Sequence, residues 1–131
     1  WHVKPICNKL NLEYITQATK KKIKDKWNLD LPVDKSSRKY DFAILKNNKL
    51  ILIETNFFSD AGSKLKSVAG EFQSLDLFLK NYEVVDKFIW ITDGIGWISS
   101  KTFLKEAFIN NDFIINTKMI FDGVLDEIIV I

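Results

Sequence analysis

The stretch 39–56, reading KYDFAILKNNKLILIETN, limits the fold more than any other part of the chain. Two short apolar runs of strand type, 39–45 and 49–55, flank Asn47-Asn48, whose side chains tolerate the left-handed backbone of a tight turn. The stretch therefore reads as a β-hairpin. With the two asparagines as the turn, Lys46 pairs with Lys49, and the register carried along the ladder sets Asp41 opposite Glu54. Alternation puts Asp41, Ala43, Leu52, Glu54 and Asn56 on one face, and Phe42, Ile44, Ile51 and Ile53 on the other.

Like charges directly opposite in an antiparallel pair are destabilising, with Cβ atoms roughly 5 Å apart, so a compensating group is expected. A divalent metal between Asp41 and Glu54 would supply it, because hard cations such as magnesium take carboxylate oxygens and keep waters for a phosphate substrate. The alternative is a pair of ordinary strand-end acids in solvent. Against that alternative, Glu54 interrupts the apolar run 50–53 just before Asn56 and Phe57.

At 131 residues, 47% apolar and 27% charged, the chain has the composition of one globular domain with a real core. Net charge is only +2, so any nucleic-acid surface must come from clustering rather than from the total. One cysteine, Cys7, and one histidine, His2, exclude an internal disulfide and argue against a zinc site or a histidine-based dyad. Both read as bystanders. No apolar run approaches the length of a membrane span and no signal or lipidation motif occurs, so the cytoplasm is the default location.

Residues 1–11 carry no clear period and read as a residual connecting segment. From 12 to 27, Leu12, Ile15, Thr19, Ile23 and Trp27 recur at three- and four-residue steps, which predicts an amphipathic helix with Glu13 and Gln17 one turn apart. Its polar face carries Lys20, Lys21, Lys22, Lys24 and Lys26, either a solvated face or a contact for DNA phosphates. Residues 28–37 form a loop into the hairpin, and Arg38 and Lys39 stand just before Asp41, as surface charge or as phosphate contacts.

After the hairpin come a turn over 59–62 and Ser63 as a candidate helix cap. Leu65, Val68, Phe72, Leu75 and Leu79 then give the clearest helical period in the chain, with Lys64, Ser67, Glu71 and Ser74 as a neighbouring polar line. The helix starts close to Glu54, so Lys64 can bring a cation to the carboxylates. Lys64 and Lys66 have contact with the DNA backbone as their simpler role. Gly62-Ser63-Lys64 lacks the first glycine and the spacing of a phosphate loop.

Residues 87–92 read as a strand buried on both faces. Asp93-Gly94-Ile95-Gly96-Trp97 is a turn in which Asp93 serves turn chemistry before metal ligation, and Trp97 is a core lid or an interface aromatic. A helix capped by Ser99 or Ser100 runs to Asn110-Asn111, a short strand covers 113–115, and 119–131 is a helix with or without a final strand. The predicted order, α-β-β-α-β-α-β, is an α/β layer with a mixed sheet flanked by helices.

The spacing D-x12-E-x-N resembles the metal-binding core of PD-(D/E)XK nucleases. The segments VDKSSRKYDFAI, LIETNFFSDAGSKLKSVAGEF and FIWITDGIGW resemble, more specifically, the DpnII/MboI family of type II restriction endonucleases, over about residues 17–120. The resemblance implies a restriction-endonuclease-like core and magnesium-dependent hydrolysis of double-stranded DNA at GATC, leaving 5′-phosphates. It also implies a homodimer, and a cognate methyltransferase acting on the same site.

Asp41, Glu54 and the Thr55 carbonyl would hold the metal, with Asn56 where this fold ordinarily has lysine. Asn56 would orient the water, and Lys64 is the candidate for the vacant lysine role; Arg38, Lys39, Lys64 and Lys66 would meet DNA. Arg38 is the only arginine, which leaves little for bidentate reading of guanine edges. Residues 1–131 then form a single nuclease domain, and the lack of an initial methionine beside the greater length of family members implies the C-terminal portion of a longer chain. The competing expectations are another nuclease of this fold, acting in repair or on junctions, and a noncatalytic module for DNA binding or dimerisation.

Overall fold

The computed structural model describes residues 3–59 and 63–131. Among the described residues twelve elements follow one another: α1 (Val3–Lys9), β1 (Tyr14–Ala18), α2 (Lys20–Trp27), β2 (Tyr40–Lys46), β3 (Lys49–Phe57), α3 (Ser63–Leu79), β4 (Val85–Asp93), a short 3-10 helix (Ile95–Ser100), α4 (Lys101–Asn110), β5 (Phe113–Ile115), α5 (Thr117–Phe121) and α6 (Val124–Val130). The five strands form one sheet in the order β1-β2-β3-β4-β5. The first three are antiparallel, whereas β4 and β5 join in parallel after the α3 and α4 crossovers.

The hairpin has the expected register. Asn47 and Asn48 take φ of 52° and 63°, and Lys46 pairs with Lys49, Ile44 with Ile51 and Phe42 with Ile53. Alternation then sorts the sheet into two cores. Ala43, Leu50, Leu52, Phe88, Trp90 and Ile114 pack against α2, α3 and α4, while Phe42, Ile44, Ile51, Ile53, Ile89, Ile91 and Ile115 pack against α1, α5 and α6. A sheet covered on both faces explains why β3 and β4 read as continuous apolar runs.

Along α3, Leu65, Ala69, Phe72, Leu75 and Leu79 are buried. Strand β5 and helix α4 fall where the periods set them. The tail 119–131 is helical, broken at Gly123, whose φ of 87° starts α6. Residues 60–62 of the expected turn, His2, and the Ser63, Ser99 and Ser100 side chains lie outside the described residues.

The helix expected over 12–27 is corrected. Only its second half is helical; Tyr14–Ala18 is an edge strand paired with β2 through Tyr14–Ile44, Ile15–Ala43 and Thr16–Phe42. The apolar steps fitted a helix, but Asn11 at φ 56° and Gln17 at φ 50° break the chain on either side of a Tyr-Ile-Thr run suited to a strand. Thr19 then caps α2, its hydroxyl accepting from Lys22 N at 3.3 Å. Glu13 and Gln17 are exposed and not neighbours on a helix. The first residues, which showed no period, include α1, whose Val3, Ile6 and Cys7 are buried in the second core.

Candidate nuclease site

Strand β3 is the hinge of the topology, antiparallel to β2 on one side and parallel to β4 on the other. Its C-terminal end meets the first residues of β2, and Glu54, Thr55 and Asn56 lie just past the last ladder pair with β2, Phe42–Ile53. On the other side they pair with Trp90, Ile91 and Thr92.

Asp41 and Glu54 are brought together here, each held by the other's strand. The Glu54 Oε1 atom accepts from Asp41 N at 3.1 Å. Asp41 Oδ2 accepts from Thr55 N at 2.8 Å and from the Thr55 hydroxyl at 3.0 Å. The remaining oxygen of each carboxylate takes no hydrogen bond among the described residues. Glu54 is only 8% exposed. Burial, and then the Asp41 carboxylate beside it, push its pKa up to about 8, against the opposing hydrogen bond from the Asp41 amide and the weaker pull of Arg38.

Asn56 continues the same face. Its Oδ1 accepts from the buried Trp90 indole at 2.7 Å. With Lys64 it lines an open cavity of about 300 Å³ walled by Phe57, Phe58, Ser59, Leu65 and Val68. The structure thus brings Asn56 and the exposed Lys64 to one cleft, and no ion pair joins Lys64 to either carboxylate among the described residues.

Arg38 lies elsewhere than on the surface. It is 6% exposed, bonded through Nε and Nη2 to both Asp34 oxygens at 2.8 and 2.9 Å and through Nη2 to Glu71 Oε2 at 2.6 Å. Hydrogen bonding to Asp34 and then Glu71 outweighs its desolvation and holds the guanidinium firmly charged. Lys39 is exposed. Lys66 places its ammonium 5.3 Å from the Phe103 ring centroid, on the side of α4.

Asp93 serves the turn: it accepts from Gly94 N at 2.8 Å and Thr117 N at 3.1 Å, and bonding from Thr117 and then Gly94 keeps its carboxyl below the usual range. Trp97 is a core lid, 7% exposed, donating to Thr92 Oγ1 at 2.8 Å. Sequence reasoning missed the Asp34–Arg38–Glu71 network and Trp90's bond to Asn56. The four-residue spacing of Asp34 and Arg38 was visible, whereas the pairing of β3 with β4 depends on a helical crossover that no local pattern encodes.

The sequence profile of the DpnII restriction endonucleases matches residues 2–127. The chain belongs to the DpnII restriction endonuclease family. Among relatives, the type II restriction enzyme MjaIII of Methanocaldococcus jannaschii is 54% identical over 121 residues, 91% of this chain and 42% of that protein. LlaDCHI of Lactococcus lactis subsp. cremoris is 42% identical over 128 residues, 96% and 42%. MboI of Moraxella bovis is 38% identical over 71 residues, 54% and 25%. The chain therefore spans 42% of the length of the first two. No solved structure matches it.

The donor set of this DpnII-family chain can be weighed against a divalent cation. No group of three or more acidic, histidine or cysteine side chains converges among the described residues. Two carboxylates with an oxygen each to spare fit a hard cation that keeps its own waters, and do not make an all-protein cage. Two adjacent acids, one of them driven toward its protonated form, fit the same conclusion. No helix among the described residues is long and apolar enough to cross a membrane.

Proposed function

We propose that the chain is the single nuclease domain, 1–131, of a type II restriction endonuclease that hydrolyses phosphodiester bonds of double-stranded DNA at GATC and leaves 5′-phosphates, with magnesium as cofactor. The reading includes a homodimer in the cytoplasm, paired with a methyltransferase of the same sequence specificity. The observation that carries it is the meeting of Asp41 and Glu54 across one hairpin, at the C-terminal end of β3, in a chain of the DpnII family. The names of the relatives support the reaction class, and the resemblance of the ETNF and GSKL segments supports GATC.

In this mechanism Asp41, Glu54 and the Thr55 carbonyl would hold the metal. Bound there, magnesium would lower the pKa of water and neutralise charge building on the scissile phosphate. Thr55 contributes twice, since its amide and hydroxyl fix the Asp41 carboxylate. Asn56 orients the attacking water, and Lys64, across the same cleft, stabilises negative charge on the phosphate. Lys39, Arg38 and Lys66 are the proposed backbone contacts, Arg38 by exchanging one of its acidic partners for a phosphate.

The test is plasmid cleavage with and without magnesium, on DNA with and without GATC. Cutting confined to GATC-containing DNA and to magnesium is expected. Glu54→Gln should abolish it while DNA binding stays intact or tightens, because an anion near phosphate is removed. Retained cleavage by Glu54→Gln sinks the assignment of the site.

A further inference from the structure

Trp90 sits at the middle of β4, fully buried, and is the register partner of Glu54. Its indole Nε1 donates to Asn56 Oδ1 at 2.7 Å. An indole N–H donates and never accepts, so this bond exists only with the carboxamide oxygen turned toward Trp90. The two nearly isosteric orientations of the amide are thereby distinguished. Asn56 Nδ2 takes no acceptor among the described residues, and Asn56 lines the cleft it shares with Lys64.

Trp90 is itself held. Phe72 of α3 meets its ring edge-on, with centroids 5.1 Å apart at 88°, and Trp97 does so at 5.8 Å and 69°. Trp97 is in turn fixed by its bond to Thr92, the residue paired with Asn56 across the strands. Such a packed aromatic block leaves the indole no alternative rotamer without opening the core.

We infer that Trp90 is a positioning residue for cleavage: its N–H locks the Asn56 amide so that Nδ2, and not Oδ1, is offered to the scissile phosphate or to the attacking water. The inference rests on the nuclease reading above. Asn56 then works as a donor, to a non-bridging phosphate oxygen or to a lone pair of the water, and never takes the proton of that water. A freely flipping amide would present the wrong atom for part of the time and turn its carbonyl oxygen toward an anion.

Trp90→Phe removes the N–H and keeps a ring for Phe72 and Trp97 to pack on. In the intact protein, kcat should fall about tenfold, the effect of one lost hydrogen bond in the transition state, with KM for DNA unchanged. In an Asn56→Ala background the same substitution should lower kcat no further. A merely structural role would lower kcat in both backgrounds, and that result overturns the inference.

The bond has a second readout that needs no cleavage. The Trp90 indole ¹H–¹⁵N resonance, identified by its loss in Trp90→Phe, should shift in Asn56→Ala. A parent protein that cleaves but whose indole resonance stays put overturns this inference alone; a parent that cleaves nothing overturns the nuclease reading and the positioning role of Trp90 with it.

Discussion

Glu54 shows how one residue carries the tension of the site. A carboxyl whose folded pKa is about 8, against about 4.5 when solvated, binds a proton more tightly in the native state than in the unfolded one. Stability from that group is fully present below about pH 4.5 and is lost as pH rises through about 8. Denaturation of the metal-free protein should therefore show stability falling across this window. Glu54→Gln should flatten the fall and exceed the parent at pH 8 by on the order of 4 kcal/mol. A pH-independent parent would mean that the ionised form is already compensated. The meeting of Asp41 and Glu54 was legible because the turn fixes the hairpin register, residue by residue. Arg38 reads in the sequence as surface charge or a phosphate contact, and its burial escapes that reading because its partners, Asp34 and Glu71, come from a loop and a helix that only the folded chain brings together.

At the scale of elements, the same turn explains why the register is dependable. Asn47 and Asn48 both occupy the left-handed region, which costs most other residues about 1 kcal/mol or more. Asn48→Ala should lower stability by about that amount in urea denaturation, whereas Asn48→Gly should be neutral or better. Equal losses in both variants would assign the turn to side-chain bonding instead. The first strand, by contrast, was hidden. Ile15, Thr19 and Ile23 obey a helical period by coincidence, and the break at Gln17 depends on a positive φ that no glycine announces. The two long elements that a single period dominates, β3 and α3, were legible almost to their ends.

For the molecule as a whole, the layered sheet sets several features at one end. Ala18 pairs with Tyr40, so β1 ends, and α2 begins, beside the start of β2 and the carboxylates. The helix that carries the exposed Lys20, Lys21 and Lys22 therefore starts at that end of the sheet, although the net charge is only +2. Changing these three to glutamine should weaken DNA binding and reduce the slope of log affinity against log salt by up to about 3, without changing the melting temperature. An unchanged slope would leave α2 as a solvated face. The sequence displayed the lysines but not their placement, because that placement comes from the strand it concealed.

The hairpin that joins the acids has a further consequence, in time. Asp41 and Glu54 meet through a contact local in sequence, of the kind that closes in about 1–10 μs, whereas Trp90 reaches Glu54 only after the whole of α3 has been laid across the sheet. The two anions are neighbours while still bathed in water, and their walls arrive last. Refolding without metal at neutral pH is therefore expected to take up a proton late, when the docking of β4 seals Glu54 from solvent, an uptake that a pH indicator in weak buffer would follow.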